Sequence, residues 1–271
     1  MIPVFLINLD RDKERLEHMD SMLRSLGIPY ERFSAIYGKE IDAYSFVDDA
    51  KMRRVEGRQL SPGDIGTALS HRSVYERIVE ANLPYALILE DDVTLPGDFR
   101  LIVEREVANN EAIGLRGWEY LAFDYGPIGP ELFSIWFRSF QPRLRRADSF
   151  WRRVGIVAYG VAKFFYVAPM FLFETLRDRL RRSRPGPVKF LRPMYNAGAY
   201  VVTLEGARKL RNLATPVYCT SDRLHNQARV LKGLRVRWYA PSIARQVREE
   251  FGSTASEQKA EAYKNKTAYV K

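Results

Sequence analysis

Hydrophobic positions near the start of the chain predict a strand, a helix and a second strand. Residues 2–9 are mostly apolar, which is typical of a central strand. Apolar side chains then recur at helical spacing until Gly27, at Leu16, Met19, Leu23 and Leu26. Residues 30–35 follow as a second strand. We therefore expect a βαβ unit whose ligand site lies beyond the carboxyl ends of its strands, around residues 8–11 and 35–38.

A further strand is predicted after a long helix. Ser61, Pro62 and Asp64 have the pattern of a helix start, in which a serine caps the helix, a proline opens it and a carboxylate completes a capping box. We expect this helix over residues 62–81 and a strand over residues 85–89. Strands that alternate with helices predict an α/β fold with a single, Rossmann-like and mainly parallel sheet.

Three acidic residues, Glu90, Asp91 and Asp92, follow this strand directly. Clustered carboxylates at the end of a strand are costly unless water or a cation compensates them, and a hard divalent ion with oxygen ligands is a common solution. Strand alternation would put Glu90 and Asp92 on the same side, as in an acid-x-acid clamp for a metal and a ribose. An exposed acidic turn after a strand is the alternative. The chain has no glycine-rich phosphate loop, so a phosphate would need side chains or a metal.

Composition narrows the choice of chemistry. A chain of 271 residues with 46% apolar residues is long enough to bury a substantial core. Cys219 is the only cysteine, which excludes an internal disulfide and a cysteine-rich zinc site, and three histidines make a histidine-rich site unlikely. Any metal would be held by oxygen. The first ten residues have the pattern of a strand rather than of a signal peptide, so we expect a cytoplasmic catalytic body.

Five segments together resemble glycosyltransferase family 25, the lipooligosaccharide and lipopolysaccharide glycosyltransferases. They are INLDRDKER, FSAIYG, LSPGDIGTALSHRSVYERI, YALILEDDV and NAGAYVVTLEGARKL. The resemblance covers about residues 1–125 and 190–247 and implies a GT-A type fold that uses a nucleotide sugar. We expect a nucleotide-sugar half over residues 1–125, an insertion over 126–189, an acceptor-side half over 190–250 and a polar, flexible tail over 251–271.

The resemblance also implies roles for individual residues. Asp92 would hold Mn²⁺ or Mg²⁺ on the donor diphosphate, and Glu90, where the family has Asp, would face the ribose or help to hold the ion. Asp91 belongs to the same donor-binding motif. Further donor contacts are expected from the end of the first strand, the loop after the second strand and the long helix, at Asn8, Arg11, Ala35, Gly38 and His71. We expect Arg15, one helical turn after Arg11, to face water.

Inverting transfer, which the family implies, needs a base that takes the proton of the acceptor hydroxyl. Asp222 follows the NAGAYVVTLEGARKL segment where the family pattern has another acidic residue, and it is the first candidate. It could also cap a helix, since TSDRLHNQA has the pattern of a helix start. Asp124, which follows the apolar segment EYLAF, is the second candidate.

Positive charge is concentrated in one segment. The net charge is +10, and residues 138–184 contain twelve Arg or Lys against three acidic residues. Within this segment, residues 154–173 carry Lys163 as their only charge. A transmembrane crossing would separate two halves of one active site, so we expect an in-plane helix on an anionic membrane surface. A helix buried against the protein is the alternative, and nucleic acid is excluded as a partner because the apolar run has no place in a phosphate-tracking groove.

Taken together, these features predict a divalent-metal-dependent, inverting transferase. It would move a hexose, galactose or glucose, from a UDP-sugar to a saccharide of a glycolipid or oligosaccharide acceptor. It would work as a peripheral protein on the inner face of the cytoplasmic membrane. A metal-dependent phosphohydrolase would also use the three acidic residues, and a non-catalytic membrane-surface adaptor would explain residues 138–184; both are kept as alternatives.

Overall fold

The computed structural model describes residues 1–124, 149–190 and 195–247. Contacts between residues divide the chain into two compact units, one of Met1–Tyr125 with Pro187–Lys271 and one of Gly126–Gly186. The strands are β1 (Val4–Asn8), β2 (Glu31–Ser34), β3 (Tyr85–Glu90), β4 (Val93–Thr94), β5 (Tyr120–Ala122), β6 (Gly186–Val188), β7 (Ala199–Thr203), β8 (Val236–Ala240) and β9 (Arg245–Gln246). The helices are α1 (Lys13–Ser25), α2 (Asp49–Glu56), α3 (Pro62–Glu80), α4 (Phe99–Ile113), α5 (Phe150–Arg181), α6 (Leu204–Leu213) and α7 (Ser221–Leu231).

Seven strands form one mixed sheet in the order β2, β1, β3, β7, β5, β8, β6. β1 is parallel to both β2 and β3, and β5 is parallel to β8, whereas β7 is antiparallel to β3 and β5. β4 and β9 make a separate antiparallel pair. The predicted α/β fold with a mainly parallel sheet is confirmed, with β7 reversed, and it is consistent with the GT-A type.

The predicted local elements are present with small shifts at their ends. β1, α1 and β2 make the expected βαβ unit, and α1 buries Met19 and Leu23. Ser61 and Asp64 form the expected capping box, in which each side chain accepts a hydrogen bond from the backbone of the other residue. The strand predicted over residues 85–89 extends by one residue to Glu90, so the acidic run begins within the sheet.

A hydrophobic core lies on one face of the sheet. It joins Leu6 of β1 and Leu87 of β3 with residues of α1, such as Leu23, and of α4, such as Val103. Phe99 of α4 meets Phe123 edge to face, with 5.1 Å between the ring centroids. Packing of both helices on this face fixes β1 and β3 as neighbours, and their carboxyl ends therefore meet at one edge of the sheet.

The insertion contains one long helix, α5, which begins after the capping residue Ser149 and continues through Pro169. The predicted helical character of this segment is thus confirmed. In the part of the chain that the structure describes, no helix is both long enough and apolar enough to cross a membrane. The predicted flexible tail over residues 251–271 lies outside the described residues.

Candidate functional site

A cleft of about 710 Å³ opens where β1 and β3 end. Its lining comes from separate parts of the chain: residues 7–9, 35–38, 90–92 and 220–223, with Asp12, Arg15, Glu56, Arg58, Gly63, Asp64, Thr67, Ser70, His71, Tyr195 and Gln246. Most of the predicted site residues therefore share one cleft: Asn8, Ala35, Gly38, His71, Glu90, Asp91, Asp92 and Asp222. Arg11 and Asp124 are not among its lining residues.

Asp91 is the member of the acidic run that the protein itself neutralises. Its carboxylate accepts hydrogen bonds from Nδ2 of Asn8 at 2.7 Å and from the Arg15 guanidinium at 3.0 Å. Burial raises the pKa of the Asp91 carboxyl, and the hydrogen bond from Asn8 and the charge of Arg15 oppose that rise. The prediction that Arg15 faces water is wrong, because its side chain is only 11% exposed and is paired with Asp91.

Glu90 is held from two sides. Its Oε1 lies 3.0 Å from Nε2 of His71, and its Oε2 accepts a hydrogen bond of 2.9 Å from Gln246. Nδ1 of the buried His71 is 2.8 Å from the hydroxyl of Tyr200, which in turn contacts the hydroxyl of Tyr75. Burial raises the pKa of both tyrosines, so their hydroxyls keep their protons. These hydrogen bonds therefore fix the direction of the Glu90 carboxylate.

The loop after β2 rests on the first turns of α3. The backbone N–H of Ile36 donates to Oγ of Ser70 at 2.8 Å. A Cβ atom on Gly38 would overlap the carbonyl oxygen of Pro62, so this close approach requires glycine. The same approach exposes Tyr37 to the cleft, where Arg11 lies 4.2 Å over its ring and donates a hydrogen bond to its hydroxyl. Arg11 thus contacts Tyr37, which lines the cleft, and does not line the cleft itself.

Asp124 lies at the end of β5 and is fully buried. Its carboxylate accepts hydrogen bonds from the backbone N–H groups of Gly198 and Ala199, at 3.1 and 3.3 Å. Burial, followed by the charge of Glu90, raises the pKa of Asp124 to about 8. These contacts are typical of a residue that anchors the start of β7.

The opposite wall of the cleft joins the end of α2 to the start of α7. Glu56 accepts a hydrogen bond of 3.1 Å from the backbone N–H of Thr220, the N-cap of α7, and pairs with Arg223 at 3.6 Å. Asp222, in the first turn of α7, lines the cleft beside them. Tyr195 lies on the same side, with Arg223 5.6 Å from its ring centroid.

Many lining residues were not among the predicted site residues, and four of them show which ones the sequence could have indicated. Arg15 and Tyr37 had a signal in the sequence, since one follows Arg11 by a helical turn and the other lies within the FSAIYG segment. Gln246 and Tyr195 had none, because only the folding of distant segments brings them to the cleft.

Comparison with known proteins identifies the family. The model of glycosyltransferase family 25, described as an LPS biosynthesis protein family, matches residues 1–137. This match covers half of the chain, which therefore belongs to glycosyltransferase family 25, and the predicted resemblance is confirmed.

Individual relatives match a part of this chain. A glycosyltransferase 25 family member from Drosophila pseudoobscura pseudoobscura is 36% identical over 104 residues, which are 36% of this chain and 16% of the relative. Procollagen galactosyltransferase 1-B from Xenopus laevis is 35% identical over 97 residues, which are 33% of this chain and 16% of that protein. The matched region is thus about a sixth of each of these relatives' length.

One solved structure is similar over most of its length. It is a glycosyltransferase involved in the glycosylation of the major capsid of PBCV-1, with 10% identity, a TM-score of 0.39 and coverage of 96% of this chain and 97% of that one. A TM-score of this size does not establish a shared fold, and the fold assignment rests on the strand order above.

Proposed function

We propose that this protein is a glycosyltransferase that moves a hexosyl group, galactose or glucose, from a UDP-sugar to a saccharide hydroxyl. Membership of glycosyltransferase family 25 supports the reaction class, and the name of the Xenopus laevis relative supports galactose. The observation that carries the proposal is the cleft itself, since the acidic run after β3 and the loop after β2 line the same space. A nucleoside diphosphate could therefore contact both at once.

The donor nucleotide would lie between Tyr37 and the acidic run. The Tyr37 ring, supported on one face by the Arg11 guanidinium, is suited to stack on a nucleobase. Glu90 is suited to accept hydrogen bonds from the ribose hydroxyls, because His71 and Gln246 hold its carboxylate in one orientation. Ala35 and Gly38 would let the backbone of the loop approach the base and ribose closely.

A divalent cation fits the remaining donor set. Glu90 and Asp92 both line the cleft and supply oxygen, whereas Asp91 is engaged by Arg15. Within the described residues, no group of three or more acidic, histidine or cysteine side chains forms a site for a metal. Mg²⁺ sites commonly use one or two carboxylates and complete their coordination with substrate phosphates. A bound Mg²⁺ or Mn²⁺ would neutralise charge on the departing diphosphate.

Asp222 is the base that we propose for the acceptor. It would take the proton of the acceptor hydroxyl as that oxygen forms a bond to the anomeric carbon and the bond to the diphosphate oxygen breaks, with inversion. Its position in the first turn of α7 holds it at the cleft wall. Asp124 is less suited to this role because it is buried among backbone donors.

The insertion is proposed to attach the protein to the inner face of the cytoplasmic membrane, where a glycolipid acceptor would be found. α5 exposes large apolar and aromatic side chains, at Phe150, Trp151, Tyr159, Leu172, Leu176 and Leu180. Arginines lie at both ends of the same helix. Apolar contact together with attraction to anionic lipids is the usual basis of in-plane helix binding.

Calorimetric titration with UDP-galactose tests the donor site. We expect binding in the presence of Mn²⁺ and loss of binding with EDTA or in Asp92→Asn. Asp98→Asn is the matched control, since Asp98 is an exposed carboxylate outside the cleft. A folded protein that binds no sugar nucleotide in any condition would contradict the proposal. Hydrolysis of the diphosphate linkage of UDP-galactose to UMP and galactose 1-phosphate, without transfer to any sugar, would favour the phosphohydrolase alternative instead.

A further inference from the structure

At one wall of the cleft, hydrogen bonds and an ion pair join the end of α2 to the start of α7. Glu56 accepts from the backbone N–H of Thr220, and the Arg223 guanidinium donates to the carbonyl oxygen of Val55 as well as pairing with Glu56. The Glu56 side chain is only 5% exposed. These contacts tie the last turn of α2 to the first turn of α7, so the side chains that this wall presents are preorganised for a ligand.

The charges of this wall are already matched within the protein. Arg58 pairs with Asp64 at 3.0 Å, and Arg223 pairs with Glu56 at 3.6 Å. Asp222 adds a further carboxylate to the same end of the cleft. An anionic sugar bound here would meet carboxylates and would have to compete for both arginines, whereas an uncharged sugar would exchange hydrogen bonds without breaking an ion pair.

The wall also offers an aromatic surface. Tyr195 lines the cleft, and the residue is 46% exposed although aromatic residues are usually well covered. The Arg223 guanidinium lies 5.6 Å from its ring centroid. An aromatic ring with one open face is suited to pack against the C–H groups of a sugar ring while polar neighbours bind its hydroxyls.

We propose that Tyr195 is the stacking surface of a subsite for an uncharged sugar residue, which is the acceptor sugar of the proposed transfer. The inference rests on the proposed function and goes beyond it, since it names the end of the cleft that takes the acceptor and the charge class of that acceptor. Arg223, which follows Asp222 in α7, lies near the Tyr195 ring, so a sugar stacked on Tyr195 would lie on the Asp222 side of the cleft, with a hydroxyl available to the proposed base.

Saturation-transfer NMR measures this directly. The protein, with UDP and Mg²⁺, is titrated with two uncharged probes, methyl β-lactoside and methyl α-glucoside, and with two anionic probes, 3′-sialyllactose and glucose 6-phosphate. Tyr195→Ala removes the ring, Tyr195→Phe keeps it, and Tyr44→Ala is the matched control. Tyr44 is 44% exposed and lies outside the cleft lining. UDP affinity is measured in parallel for every variant.

We expect at least one uncharged probe to bind, with affinity roughly tenfold lower in Tyr195→Ala. Affinity in Tyr195→Phe and Tyr44→Ala should stay close to that of the unaltered protein, and UDP affinity should be unchanged throughout. If UDP binds, three results would each overturn the inference about Tyr195 while leaving the proposed function in place. They are unchanged probe affinity in Tyr195→Ala, tighter binding of the anionic probes, and no binding of either uncharged probe. Failure of UDP itself to bind would overturn the proposed function, and the inference with it.

Discussion

The ion pair of Arg15 and Asp91 allows a quantitative test of whether Asp91 is neutralised within the protein. Both side chains are only 11% exposed, and the charged atoms lie 3.0 Å apart. Removing one partner of a buried pair costs about 3–5 kcal/mol, because the other charge stays buried without compensation. Arg15→Met keeps the length of the side chain and removes its charge. Since Asn8 still donates to Asp91, we expect the lower end, about 3 kcal/mol.

A thermal melt measures this cost. For a chain of this size, about 3 kcal/mol corresponds to a fall of roughly 6–12 °C in Tm. Arg24→Met on the same helix is the control, since Arg24 pairs with Asp20 on the surface and is 78% exposed; such pairs contribute less than about 1 kcal/mol. The double variant Arg15→Met with Asp91→Asn should recover most of the loss, because it removes both charges.

The stability lost in Arg15→Met should also depend on pH, in a direction that can be predicted. Burial already raises the pKa of Asp91 above its ordinary value, and loss of the Arg15 charge would raise it further. A carboxyl whose pKa is raised on folding costs no stability below its unfolded pKa, and the cost grows as pH rises from the unfolded pKa to the folded pKa. The deficit of Arg15→Met should therefore be smallest near pH 4 and largest at neutral pH. Equal melting of Arg15→Met and Arg24→Met at neutral pH would refute the assignment of Asp91 as an internally neutralised residue.

Three further predictions concern other parts of the chain. Gly38→Ala should lower stability by about 1–3 kcal/mol and weaken UDP binding, because its Cβ would overlap Pro62; Gly97→Ala, where a Cβ meets no atom within 4 Å, should melt normally. Burial, and then the charge of Glu56, raises the pKa of Cys219 to about 12, so a thiol reagent at pH 8 should label it only after denaturation, and rapid labelling of the native protein would contradict this burial. Co-sedimentation should detect binding to phosphatidylglycerol vesicles that falls at high salt, with little binding to phosphatidylcholine alone; salt-independent binding would count against the role proposed for α5.

The features predicted correctly are those that neighbouring residues determine. The βαβ unit follows from apolar spacing within about 35 residues, and the capping box follows from Ser61 and Asp64 three positions apart. The reversed direction of β7 could not be predicted in this way, since it depends on how the chain returns from the insertion. Gln246 contacts Glu90, from which it is separated by 156 positions in the sequence. Tyr195 lines the cleft with residues from the first part of the chain, which is a contact between distant segments.

Strand register explains why Asp91, and neither Glu90 nor Asp92, contacts Asn8 of β1. Strand alternation groups Glu90 with Asp92, but it assigns no partner to Asp91 between them. In the parallel pair of β1 and β3, Ile7 is opposite Glu90, so the next residue of each strand, Asn8 and Asp91, are brought together. The helix that follows β1 then supplies Arg15 to the same carboxylate. Asp91 thus joins the first βαβ unit to β3, while Glu90 and Asp92 line the cleft on either side of it in the sequence.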